Sequence, residues 1–137
     1  MELQELKKIM KKEGDLKVFE YEGYQCCVLR GPLGALNGYV ALDNNHILYG
    51  AHYDNDEVIV HGGLTFSKYP PIHMPFPKSF KDKWVLGFDC AHACDVVPKN
   101  LELGLCFSGS GIYRDMEYVE NEIKRLVNQL IDIQGEN

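Results

Sequence analysis

The chain has 137 residues, of which 45% are hydrophobic and 25% charged, and its formal net charge is −6. One domain of this length buries a sizeable core without disulfide or metal staples. The acidic balance argues against bulk binding of DNA or RNA, which depends on neutralising phosphates with Lys and Arg, and no apolar run approaches the roughly 18 residues that span a bilayer.

The opening MELQELKKIMKKEG carries lysines but no apolar centre, so it reads as a helix rather than a signal peptide. Residues 2–13 place Leu3, Leu6, Ile9 and Met10 on one side, and Gly14 stands just past the expected end. The helix is expected to pack on a sheet. Lys17–Tyr21 and Tyr24–Arg30 are β-branched and aromatic runs separated only by Glu22-Gly23, which predicts a tight hairpin. Cys26 and Cys27 then point to opposite faces of the second strand, as small core residues rather than joint ligands of one metal. With Cys90, Cys94 and Cys106 they make five cysteines, an odd number that fits a reducing cytoplasm better than a disulfide framework.

Gly38–Leu42 reads as a third strand. Residues 43–56 follow as a loop dense in His46, Tyr49, His52 and Tyr53, side chains with apolar bodies and polar tips that suit either a ligand pocket or an anchored loop. Glu57–Val60 is expected to be a short strand entering His61-Gly62-Gly63, with Leu64-Thr65-Phe66 resuming it after a bulge. The four prolines of residues 67–83 exclude a central strand or regular helix, so a surface excursion or lid is expected, with Tyr69, His73, Met74 and Phe76 against the body. Its lysines Lys78, Lys81 and Lys83 form the clearest basic patch. Trp84–Phe88 is the strongest strand signal and should be central. Between Val96 and Gly111 the chain looks irregular, with a short strand at Leu101–Phe107. Met116–Gln134 has helical spacing over more than four turns, with Asp115 as N-cap and Gly135 beyond the end. The fold class is α+β: a mostly antiparallel sheet of about 5–6 strands in a single domain, with an N-terminal helix and a long C-terminal helix packed on it.

Reactive groups gather at two strand ends, His61 to Thr65 and Asp89 to His92. Cys90-x-His92-x-Cys94 has zinc-ligand chemistry, but on an extended strand residues two apart lie about 6.8 Å from each other and the paired C-x₂-C pattern is absent. Neither a metal nor a cofactor is therefore expected. A Cys90 nucleophile would need a histidine base and a lowered thiol pKa, and on a regular strand Asp89 faces away from Cys90 and His92. His61, Asp89 and His92 suffice for general acid–base or metal-assisted attack on a phosphoester, and equally for a buried hydrogen-bond network. No phosphate-binding G-x-x-x-x-G-K-[ST] loop is present.

The combination GYVAL, HILYGAHYDND, VHGGLTFS and WVLGFDCAH, followed by an acidic residue, resembles a family of small uncharacterised proteins of tailed phages and prophages. The resemblance spans roughly Tyr21 to Asp95. The chain departs from that family's pattern at Asn44-Asn45-His46-Ile47, at Ala51 where a basic residue is usual, and at Cys94 where a glycine is typical. What it implies is an accessory protein of a mobile element, working in the cytoplasm of a bacterial host cell and countering host immunity.

The leading expectation is accordingly a binder of a small, nucleotide-like ligand. Its pocket would be built from Tyr49, Tyr53, His61, Gly62, Gly63, Thr65, Asp89, Cys90 and His92, with Gly62 and Gly63 N–H groups cradling an anion and a tyrosine stacking on a base. Arg30 or the lysines of residues 78–83 would have to close over a phosphorylated ligand. The alternatives are a phosphoesterase-like hydrolase with His61, Asp89 and His92 as catalytic candidates, and an inhibitor of a host protein. A homo-oligomer is compatible with any of these, and a membrane partner with none.

Overall fold

A computed structural model describes residues 1–54, 57–105 and 111–135. Five strands form one antiparallel sheet: β1 (Leu16–Tyr21), β2 (Tyr24–Arg30), β3 (Leu36–Leu42), β4 (Phe66–Lys68) and β5 (Trp84–Asp89), in spatial order β1-β2-β3-β5-β4. Among the described residues, three α-helices accompany them, α1 (Leu3–Glu13), α2 (Pro98–Glu102) and α3 (Met116–Gly135), with one turn of 3-10 helix at Lys78–Phe80. The α+β class, the hairpin, the central place of β5 and the long final helix all agree with the sequence. Asp115 caps α3 as its position predicts, its Oδ1 accepting the Tyr118 N–H at 2.8 Å.

The sheet is covered on both faces. Cys26, Val28, Leu36, Val40, Leu42, Leu86 and Phe88 meet Val119, Ile123, Leu126, Val127 and Leu130 of α3 in the main core. Alternate residues of the same strands, Cys27, Leu29, Tyr39, Ala41 and Val85, form a second core with Phe80, flanked by Phe66, Met74 and Phe76. The proline-rich segment thus works as the second face's cover rather than as a free lid: Phe76 stacks on Phe80 at 5.3 Å and meets the Tyr39 ring edge-on at 4.8 Å. Of its expected anchors, Met74 and Phe76 are partly buried while Tyr69 and His73 stay exposed. In the centre of the sheet, glycine and aromatic residues alternate across the β3–β5 pair. Gly87 lies opposite Tyr39, and a Cβ on it would stand 2.5 Å from the Tyr39 ring.

Three sequence expectations are corrected. Glu57–Val60 is not a strand. Val58 and Val60 are buried in the α3-side core, but the partner for this stretch is the helix rather than the sheet. The Ile59 N–H donates to Gln129 Oε1 at 2.7 Å, and Gln129 Nε2 donates back to the Ile59 carbonyl at 2.8 Å. β5 already has β4 on its outer edge, where Thr65 N–H also bonds the Gly87 carbonyl at 2.9 Å, so residues 57–60 cannot pair with β5. Second, Leu101 and Glu102 close α2 instead of opening a strand; residues 106–107 of that expectation lie outside the described residues. Third, α1 finds its apolar partners away from the sheet, with Leu6 buried against Val96 and Tyr113 and Leu101 alongside.

Arg30 ties these parts together. Its guanidinium, only 8% exposed, bonds Glu13, Asp15, the Gly14 and Gly34 carbonyls and the Tyr113 hydroxyl at 2.6–3.0 Å. Tyr113 also bonds Glu13, whose other oxygen accepts the Met116 N–H at 3.0 Å. The end of α1, the end of β2 and the start of α3 therefore converge on one cation. With its donors spent on this staple, Arg30 has none to offer a ligand.

Candidate functional site

His61 reaches its place because the segment before it is stitched along α3. His46 Nε2 lies 3.1 Å from the Leu130 carbonyl, Ile59 bonds Gln129, and the His61 N–H donates to Glu122 Oε1 at 2.8 Å. The chain then turns through Gly62 and Gly63, both at positive φ. A second turn, closed by Asp95 N–H to the His92 carbonyl at 2.9 Å, follows β5 and brings His92 and Asp95 to the same corner. The segment leading into α3 supplies Arg114, and the first turn of the helix supplies Tyr118.

Asp95 is the hub. Its side chain is 1% exposed. It lies 2.8 and 3.0 Å from His61 Nε2 and accepts the His92 backbone N–H at 3.0 Å and Arg114 Nε at 2.9 Å. Burial pushes the Asp95 carboxyl up, but the hydrogen bonds from His61, the His92 N–H and Arg114 outweigh it and hold the group below its ordinary value. With Nε2 protonated, His61 donates to Asp95 and accepts the Tyr118 hydroxyl proton at Nδ1, 2.8 Å away. Arg114 lies 4.8 Å over the Tyr118 ring.

His92 is the half-exposed member. Its ring meets that of His61 edge-on at 5.7 Å. Its Nδ1 is buried without a hydrogen-bond partner among the described residues, the nearest carboxylate oxygens being Asp89 Oδ1 at 3.5 Å and Asp95 Oδ2 at 3.6 Å. His61, His92 and Asp95 each offer a ligand-capable atom, all within 4.8 Å of one another.

The structure brings together His61, Gly62, Asp89 and His92 from the sequence-level set, and separates them from Tyr49 and Tyr53. The Tyr49 ring lies 6.4 Å from Trp84, at the opposite end of β5 from Asp89, a strand length of roughly 17 Å at about 3.4 Å per residue. Tyr53 is exposed, its N–H bonded to Ser67 Oγ at 2.9 Å. Gly63 N–H is spent on the Val60 carbonyl at 3.0 Å, so the pair of free N–H donors expected at Gly62 and Gly63 is not available. Thr65 is exposed beside the sheet edge. Cys90 is buried and its thiol is pushed up to about 12 by burial and by Asp95 and Asp89 nearby, the opposite of what a nucleophile needs. Cys94 is exposed, and among the described residues no Cys–His–Cys metal set forms.

Asp95, Arg114 and Tyr118 were missed as site residues. Asp95 had a weak signal, an acidic side chain three residues beyond His92, and Tyr118 had none beyond its place in the first turn of α3.

Compared with protein-family models, curated proteins and solved structures, the chain matches none. None of the described helices is long and apolar enough to cross a membrane.

Proposed function

We propose that the His61–His92–Asp95 corner is the active centre of a hydrolase acting on phosphoesters. The observation that carries this reading is the Asp95 hub itself: two imidazoles and a guanidinium converge on one buried carboxylate. Imidazole–carboxylate pairs activate water, and a neighbouring arginine stabilises phosphoryl oxygens. Arg114 spends Nε on Asp95 and directs its terminal nitrogens to a shallow cleft of about 310 Å³ beside the corner, lined also by Tyr113, Tyr118 and Asn121 and by the carboxylates Asp115 and Glu117, so the guanidinium is the group there that can meet an anion. The His92 side chain is 37% exposed, so its ring is the member of the corner that solvent water can approach. The water oxygen attacks phosphorus and its proton passes to the imidazole–carboxylate cluster; the ester P–O bond breaks, and the cluster returns that proton to the leaving oxygen, which departs as the alcohol.

The test is turnover of p-nitrophenyl phosphate and bis(p-nitrophenyl) phosphate. Wild-type protein is expected to release nitrophenol from at least one of them. His92→Ala and Asp95→Asn should abolish it, and Arg114→Ala should raise KM. A folded wild-type protein inert towards both would overturn the reading.

A second reading, non-catalytic binding of a nucleotide-like ligand, is favoured by a different place. Tyr49, Tyr69, Met74 and Phe76 line an open groove of about 850 Å³ with Lys78 and Lys81 on it, an aromatic wall beside cations. Trp84, 5.0 Å from Tyr69, is a built-in fluorophore for titration with nucleoside monophosphates. A saturable change lost in Tyr49→Ala supports this reading. The mobile-element setting implied by the motif resemblance fits either one.

A further inference from the structure

We infer that His61, His92 and Asp95 form a binding site for one divalent transition-metal ion, a deepening of the hydrolase reading that can be tested apart from it. Several observations point there. A tetrahedral site with bonds of about 2.1 Å sets its ligand atoms roughly 3.4 Å apart. Here His61 Nε2 and His92 Nδ1 stand 2.8 and 3.6 Å from the same Asp95 oxygen, and all three atoms lie within 4.8 Å of one another, close enough for side-chain adjustments to bring the set onto one ion. His92 Nδ1 is buried without a partner; a proton shared by His61 and Asp95 leaves it unsatisfied, whereas a cation beside Asp95 Oδ2 satisfies all three atoms.

The surroundings match what ligating groups require. Metal-bound imidazoles hold their second nitrogen on an outer partner. For His61 that partner is Tyr118, 2.8 Å from Nδ1, which accepts the Nδ1–H once Nε2 turns its lone pair to the ion. Arg114 Nε holds Asp95 Oδ1 at 2.9 Å and thereby orients Oδ2. The His92 ring sits against Gly62, where a Cβ would come within 2.1 Å of it.

Two imidazoles and one carboxylate are borderline ligands that favour Zn²⁺, Fe²⁺ or Co²⁺ over the all-oxygen preference of Mg²⁺ and Ca²⁺. Three protein ligands leave a position for water, the arrangement of catalytic rather than structural sites. Bound there, the ion would lower the pKa of that water to about 7 and make hydroxide available at neutral pH.

The experiment is equilibrium dialysis of full-length protein against Zn²⁺ with elemental analysis, alongside a Co²⁺ titration followed by visible absorption. One ion per chain is expected, with the intense bands of a low-symmetry Co²⁺ site. His92→Ala and Asp95→Asn should each weaken affinity by more than about a hundredfold, since losing even an outer partner costs about 10- to 100-fold. Tyr118→Phe should fall within that smaller range, and His52→Ala should change nothing. Circular dichroism establishes that each variant is folded, and His92, half-exposed, is the substitution least tied to folding. No uptake by wild type, or uptake that survives both His92→Ala and Asp95→Asn, overturns the site. Uptake without ester hydrolysis sustains the site and removes the hydrolase reading. Hydrolysis undiminished by chelation, with no ion bound, does the reverse.

Discussion

The His92 ring occupies the space that a side chain on Gly62 would take: a Cβ built on Gly62 falls 2.1 Å from His92 Cε1 and 2.5 Å from both ring nitrogens. Gly62 also sits at φ 68°, a conformation that costs a residue with a Cβ about 1–2 kcal/mol. The glycine is therefore required twice, once by the turn and once by its neighbour.

Gly62→Ala is expected to lower stability by more than that backbone cost, because His92 must also be displaced. In Gly62→Ala/His92→Ala the steric part disappears and only the backbone part remains. Denaturant melts of the two single variants and the double variant would show this as strong non-additivity. Additive effects would mean that the ring contact carries no weight.

Asp95 predicts an acid-dependent stability of definite sign. Its carboxyl is held below the ordinary value in the folded protein. The unfolded chain therefore takes up the proton first, at about pH 3.9. The stabilisation is fully present above that pH and is lost as pH falls towards the folded-state value. Urea unfolding between about pH 2 and 7 should show the wild type losing stability below about pH 4 more steeply than Asp95→Asn.

Arg30 is a nearly buried cation with five partner groups. Arg30→Met leaves Glu13 and Tyr113 without their cation and should cost about 3–5 kcal/mol, the range for breaking a buried ion pair from one side. Arg30→Lys should not restore the loss, because an ammonium group cannot reproduce the planar fork that reaches α1, the β2–β3 turn and Tyr113 together. Chemical denaturation of the variants measures both.

Thiol reactivity should follow burial. Cys26 and Cys27 face opposite cores and Cys90 lies under the site; burial pushes all three thiols up, Cys26 and Cys90 to about 12. Of these and the exposed Cys94, only Cys94 should be alkylated in native protein at neutral pH. Peptide mapping after brief iodoacetamide treatment checks this, and rapid Cys90 labelling would reopen thiol chemistry at the site.

The candidate site was half legible. His61 stood out beside Gly62-Gly63 after an apolar run and His92 just past the strongest strand signal, and Asp89 does come within 3.5 Å of His92, although strand alternation placed it on the other face. The chain leaves the strand after Asp89 and turns, so the alternation rule stops applying there. Asp95 carries only a weak local mark, an acidic residue three beyond His92, and Tyr118 carries none. Their importance lies in partners 34 and 57 residues away from them.

The α+β fold class and most of the elements are written locally in the amino-acid order. The Glu22-Gly23 hairpin, the apolar alternation of β2, β3 and β5, and the 3.6-residue periodicity of α3 between Asp115 and Gly135 are local patterns, and local conformation obeys them. Which groups those elements partner depends on long-range packing. Glu57–Val60 has a strand's residues, yet Gln129 of α3 takes its hydrogen bonds because β4 already occupies the free edge of β5. The same docking carries His61 to Asp95, Tyr118 and His92 and leaves Tyr49 at the far end of β5. Periodicity reports which way a side chain points; only packing settles what it meets.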